Sequence, residues 1–355
     1  MRGIGTNYRR MGWALKLFFW AIPLLLLLFL TVAVSVSIGS ADLSFKVVWQ
    51  IIISHAFPFL DLDKSWPETA DIIVWQIRMP RVFLAILVGA ALAAAGVTYQ
   101  GILRNPLADP YILGVSSGAS FGAALVIFFG LQTTILGQWT LPIVSFISGL
   151  ITLLIVYRLA LVGKKLQIET LLLSGVILQS FLGAGLSLVL AKSEEKMGQI
   201  MFWLMGSLSL SDWSSGLIIA PYVIIGIMII YLFSREMNIL SLGEQNAQHL
   251  GVNVAGIRIV LLLTASLIAG AAVAVSGIIG FVGLVVPHIM RSLCGSDHRI
   301  LLPLSALAGS MLLIIADTVA RTIMQPQELP IGVITALLGA PFFAYLLRKR
   351  KREFF

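Results

Sequence analysis

A single cysteine, Cys294, excludes an intrachain disulfide framework and any cysteine-based zinc site. Charge is scarce as well: 11% of the 355 residues are Asp, Glu, Lys or Arg, where a soluble globular protein carries roughly a quarter. Residues 110–157 have no charge at all. No Walker A motif, HExxH helix or cluster of metal ligands occurs, and Gly163-Lys164-Lys165 lacks the upstream Gly and the Ser/Thr of a P-loop. No nucleophile is paired with a base. These absences argue against an intramembrane enzyme, a resident metal or cofactor, and an energy source of the chain's own.

What the chain has instead is apolar surface, 59% of its residues. No water-soluble fold could bury that much, so the reading is an all-α polytopic membrane protein, one transmembrane domain over residues 1–355. The net charge of +8 does not point to nucleic acid, because the basic residues gather at the ends of apolar runs. A crossing needs ~20 apolar residues, and ten runs qualify: Leu17–Ile38, Val82–Leu103, Tyr111–Phe129, Leu141–Leu161, Thr170–Ala191, Trp213–Ser234, Ile259–Ser276, a short Ile278–Leu293, Leu301–Ala320 and Ile331–Leu347. The first run, behind Arg2, Arg9, Arg10 and Lys16, far exceeds the ~7–15 residues of a signal h-region and reads as an uncleaved span. With the N-terminus inside, seventeen of the 24 basic residues are cytoplasmic, including Arg348–Arg352. Both termini are therefore expected in the cytoplasm.

The stretch Arg104–Pro110 is a polar hairpin between two spans. Asp109 as N-cap with Pro110 behind it predicts a helix start. Gly114, Gly118 and Gly122 then strip one helix face so that another backbone can approach. Gly89–Gly96 in the second span is echoed by Gly270–Gly277 in the seventh. This is compatible with an inverted repeat of spans 2–5 and 7–10, and equally with chance similarity between Ala/Gly-rich helices.

Several polar residues carry two readings each. Asp317 could serve a proton relay, the basis of an alternative function as a proton-coupled secondary transporter, or could pair with Arg321 one turn on. His288 and Arg291 read as interfacial anchors. In the polar insertion Arg235–Arg258, the spacing Ser241 to Glu244 suits a capping box and Gly251 a helix exit, giving a short helix over Glu244–Leu250. That helix is either a solvated connector or a docking element. Arg78, Arg81 and Arg321 break the charge bias outside; they anchor to lipid headgroups or receive an acidic partner.

Three motifs, Arg104–Pro110 with Gly114–Ser120, Gly277–Arg291, and Glu328-Leu329-Pro330-Ile331-Gly332, resemble the FecCD-type permeases, the membrane subunits of bacterial ABC importers for iron–siderophore, haem and cobalamin. The resemblance runs from about Val74 to Leu347. It implies a multi-pass subunit of the bacterial cytoplasmic membrane, paired with a second permease subunit (an identical or a related chain). It further implies cytoplasmic ATP-binding subunits and an extracytoplasmic substrate-binding protein. By that resemblance the coupling segment covers residues 238–255, with Ser241, Glu244, Gln245, Ala247, Gln248, Leu250, Gly251 and Asn253 at the ATPase contact. Arg78, Arg81 and Arg321 would receive the binding protein. Asn105 and Leu107 would belong to a cytoplasmic gate, with a weaker counterpart at Gln167–Thr170, where Glu169 departs from the pattern. The small side chains of Gly114, Ser116, Ser117 and Ser120 would suit the wall of a path for a large chelate.

Overall fold

The computed structural model describes residues 12–39, 41, 43–60, 63–132, 136–163, 165–209 and 211–354; Arg2, Arg9, Arg10, Asp42, Asp61 and Lys164 lie outside the described residues. The helices are α1 Trp13–Ser37, α2 Phe45–Ala56, α3 Glu68–Leu103, α4 Val115–Phe129, α5 Thr140–Leu159, α6 Ile168–Lys192 and α7 Met197–Leu204. After them come α8 Trp213–Leu232, α9 Ser234–Leu240, α10 Glu244–His249, α11 Val254–Ser276, α12 Val282–Cys294, α13 His298–Thr322 and α14 Ile331–Phe354. A two-residue antiparallel ladder, β1 Leu161–Val162 with β2 Lys165–Leu166, turns α5 into α6. Among the described residues seven helices are long and apolar enough to cross a bilayer (α1, α3, α5, α6, α8, α11 and α13), and Val115–Phe129, Val282–Cys294 and Ile331–Tyr345 are shorter apolar helices.

α3 is the axis of the bundle. Its most apolar stretch is 83% buried, against 6% for α1 at the periphery. The reason lies in its small residues. A Cβ on Gly89 would stand 2.4 Å from the carbonyl oxygen of Gly309 on α13, and one on Gly96 would stand 1.9 Å from that of Gly283 on α12. Backbones touch at both crossings, as side-chain-poor helices in lipid allow. The glycine face expected on α4 does the same against α5: a Cβ at Gly118 would meet Thr152, and one at Gly122 would meet Ser148.

Two boundaries differ from the sequence reading. α3 begins at Glu68, not Val82. Pro67 precedes it, acidic Glu68 and Asp71 sit in its first turn, and Trp66 Nε1 donates to Asp71 at 3.0 Å, so a polar stretch is helical outside any apolar run. A π-helical segment, Ile72–Arg78, then joins it to the apolar part. The third span is also broken. Asp109 accepts the Tyr111 N–H at 2.8 Å as an N-cap should, but it caps only a 3-10 turn, Pro110–Leu113. Gly114, at φ +79°, ends that turn, and α4 starts afresh at Val115.

Two ends of the bundle matter below. The hairpin end holds Arg104–Pro110 and the segment α9–α10; the far end holds the opposite tips of the helices.

Candidate functional site

At the hairpin end the chain leaves α3 through Arg104 in the left-handed region (φ +48°). The Asn105 Oδ1 then accepts the Leu107 N–H at 3.0 Å, closing a tight side-chain turn. Asn105 and Leu107 are both exposed. Beneath them Asp109 is enclosed, and burial pushes its carboxyl up to about 6 against the Tyr111 hydrogen bond. The four residues expected in a path wall differ in burial. Ser116 and Ser120 are buried within the chain, and the Ser120 hydroxyl donates to the Ser116 carbonyl at 2.7 Å. Gly114 packs near Thr152 and Gln179; Ser117 alone of the three serines is partly exposed.

The polar insertion folds as two short helices. The expected capping box does not form: Gly243 occupies the N-cap at φ +119°, and the Ser241 hydroxyl donates to the Asn238 carbonyl. Glu244 instead pairs with Arg258 on α11, whose guanidinium holds that carboxyl below the usual range. The helix exit is as expected. Gly251 N–H donates to Gln248 O at 2.9 Å and Val252 N–H to Ala247 O at 3.0 Å, both bonds of a Schellman motif, with Gly251 at φ +79°. Asn253 caps α11 by accepting from Gly256 N–H. Ala247 is fully buried against Leu240 and Val254, so α10 is fastened to its neighbours on one side. Its other side is open: Gln245, Gln248 and Leu250 are exposed, and so is Leu242 beside it.

Asn238 was not legible beforehand. Its Nδ2 donates to Asp297 at 2.7 Å while its Oδ1 accepts the His298 N–H at 2.8 Å. One amide thus ties α9 to the first turn of α13. Burial raises the Asp297 carboxyl, but its hydrogen bonds from Arg299 and Asn238 outweigh this and bring it to about 2. The N-cap position of Asp297, before the apolar run, was the available signal.

At the far end the three arginines are inside the protein, 4–8% exposed. Groups of this chain already engage each of them. Arg78 donates to the carbonyls of Val36, Ser37 and Ala41 at 2.8–3.1 Å, satisfying orphan acceptors where α1 ends. Arg81 lies between two carboxylates, Asp317 at 2.8 Å and Glu328 at 2.9 Å. Arg321 donates to Ser35, and its Nε is 3.7 Å from Asp317. Asp317 is therefore an ion-paired group, as one of the two readings held, but its main partner is Arg81. Across the bundle, Arg291 reaches Gln100 at 2.9 Å, and His288 lies beside Phe342 and Phe343.

A bundle of apolar helices with backbone-close crossings, a polar knob between two long spans and buried ion pairs at the opposite end is the build of a membrane transport subunit. The chain belongs to the FecCD transport family, which matches residues 25–349. It is 45% identical over 323 residues to an uncharacterised ABC transporter permease protein, YvrB, of Bacillus subtilis (strain 168), covering 91% of each chain. It is 44% identical over 307 residues to the cobalamin import system permease protein BtuC of Halobacterium salinarum, covering 85% of this chain and 79% of that one. A solved structure described as an inward-facing, metal-chelate type ABC transporter aligns with a TM-score of 0.79 at 37% identity, over 92% of this chain and 98% of the other.

Proposed function

We propose that this chain is the permease subunit of an ABC importer that carries a metal chelate or a corrinoid across the bacterial cytoplasmic membrane. In this reading all seven long spans and the three shorter apolar helices cross, giving ten passes with both termini in the cytoplasm. A second permease subunit, identical or related, completes the path. The hairpin end faces the cytoplasm, and ATP-binding subunits dock there.

One observation carries the reading: α10 presents an exposed edge (Gln245, Gln248, Leu250) while Ala247 locks it to α9 and α11. A push on that edge moves α8 and α11 together, and through Asn238 it also moves α13. A soluble connector would need neither the lock nor the exposed leucines. An external substrate-binding protein docks at the far end in this reading. Its carboxylates would reach Arg81 by displacing Glu328, whose side chain is 37% exposed.

The test is co-purification. Leu250→Glu with Leu242→Glu should abolish recovery of ATP-binding subunits with the membrane-inserted chain, leaving its detergent thermal stability unchanged. Full recovery of those subunits would refute the assignment. The proton-driven alternative asks for a carboxylate free to exchange protons, whereas Asp317 is 1% exposed and held by Arg81.

A further inference from the structure

At the hairpin end the Asn238 amide does more than join two helices, because it also fixes a tautomer. The Asp297 carboxylate can only accept, so the Asn238 nitrogen faces it at 2.7 Å and the amide oxygen is turned to His298. That oxygen takes the His298 backbone N–H at 2.8 Å and meets ring Nδ1, also at 2.8 Å. An amide oxygen cannot donate, so Nδ1 carries the proton and Nε2 presents a lone pair.

His298 is 5% exposed, and its buried Nε2 has no hydrogen-bond partner among the described residues. It abuts Gly101 in the last turn of α3. A Cβ there would stand 2.8 Å from Nε2 and 2.8 Å from the terminal methyl of Met237 on α9. Glycine is a poor helix former, and here the room it leaves is filled by those two side chains. Three residues on, the chain leaves α3 at Arg104 and enters the turn of Asn105 and Leu107. The same hairpin is within electrical reach of α10, since Arg104 adds to Arg258 in holding the Glu244 carboxyl below its usual range.

One imidazole therefore has α9 on its Nδ1 side and the end of α3 on its Nε2 side. Close-packed interiors transmit displacement, and Met237, at 1% exposed, leaves no slack beside the ring. An apolar side chain could fill the space without an orphaned acceptor, but it could not donate to Asn238. The unpaired lone pair is the cost of that tether.

We propose that His298 is a positioning residue, the wedge through which displacement of α9 and α10 reaches the end of α3 and resets the Arg104–Pro110 hairpin. The inference rests on the importer reading, in which ATP-binding subunits move α10, and adds the route by which that movement reaches the path.

The full chain with its co-purifying ATP-binding subunits, in lipid nanodiscs, is followed by hydrogen–deuterium exchange with and without ATP and vanadate. Two peptides are read, 239–253 for the polar knob and 102–110 for the hairpin. In the parent each should change its exchange rate by about fivefold, an ordinary coupling. His298→Asn keeps a donor for Asn238 and suits a helix N-terminus, but it lacks the ring edge that meets Gly101. The knob should still respond, and the hairpin response should fall below about twofold. Gly101→Ala alone would crowd the ring. Added to His298→Asn it refills the gap from the α3 side and should restore about half of the hairpin response. Such a recovery separates a wedge from a general loss of stability, which a second core substitution does not repair. A hairpin response undiminished in His298→Asn, or still missing in the double variant, overturns the wedge and leaves the importer reading in place. A knob that ignores ATP and vanadate in the parent removes the docking reading, and the wedge with it.

Discussion

Arg81 and Asp317 stand 236 residues apart in the chain and meet at 2.8 Å, with the carboxylate 1% exposed. Removing one member of such a pair leaves the other charged and buried, which typically costs about 3–5 kcal/mol. Asp317→Asn should therefore lower the detergent melting temperature sharply, through Arg81 rather than through any lost proton carrier. Pairing it with Arg81→Met should restore much of the stability, since well-packed apolar replacements of buried ion pairs are often neutral. Thermal denaturation of the two variants separates these outcomes. Unchanged melting of the single variant, with uptake abolished, would instead favour a proton relay.

Gly251 holds a backbone conformation that proline cannot take, at φ +79°, and donates the N–H that proline lacks. Gly251→Pro should unfasten the end of α10 while leaving the spans intact. The expected result is ATP hydrolysis that continues without transport. Gly251→Ala keeps the N–H and bears only the left-handed strain of about 1 kcal/mol, so its coupling should be nearly normal. Parallel measurement of phosphate release and substrate uptake in proteoliposomes decides the matter.

What the sequence disclosed and what it hid follow from the range of each interaction. Apolar runs located the seven long apolar helices found among the described residues, because hydropathy is a local property. The hairpin at Arg104–Pro110 and the glycine face on α4 were also legible, since both depend on residues within a few positions. The arginines were not. Arg78 finds its acceptors at the end of α1 and Arg81 finds Glu328 from the segment before α14, and neither relation leaves a trace in local spacing. Asp317 and Arg321 at one helical turn suggested each other correctly, yet the closer partner came from a different helix. The capping box failed for the reverse reason: Arg258 gave Glu244 a stronger partner than the backbone N–H it was expected to seek.

Asp109 gives a prediction in pH. Its carboxyl in the folded chain is raised to about 6, above the unfolded value of about 3.9. The unfolded chain therefore releases this proton first as pH rises, and folding loses stability between roughly pH 4 and pH 6. At neutral pH the charged, enclosed carboxylate costs about 1–3 kcal/mol. Asp109→Asn keeps an oxygen for the Tyr111 N–H and carries no charge. It should raise the melting temperature at pH 7.5 and converge with the parent below about pH 4. A variant less stable than the parent at pH 7.5 yet equal to it below about pH 4 would mean the charge itself is held by a partner at this end of the bundle.

Gly96 tests the claim that the bundle is built on backbone contact. A Cβ there would lie 1.9 Å from the Gly283 carbonyl oxygen, which belongs to the backbone of α12 and has no rotamer to yield. Gly96→Ala must therefore push α12 off α3, opening the crossing that Gln100 secures by donating to Gly283 O at 3.2 Å. Overpacking of this kind costs typically about 1–3 kcal/mol and more when neither side can move. Gly183 supplies the contrast: it lies inside α6 with nothing within 4 Å of its Cβ position. Gly183→Ala should leave the melting temperature unchanged or raise it, since alanine favours a helix by about 1 kcal/mol over glycine. If the two variants melt alike, the close α3–α12 crossing is not what holds the bundle together.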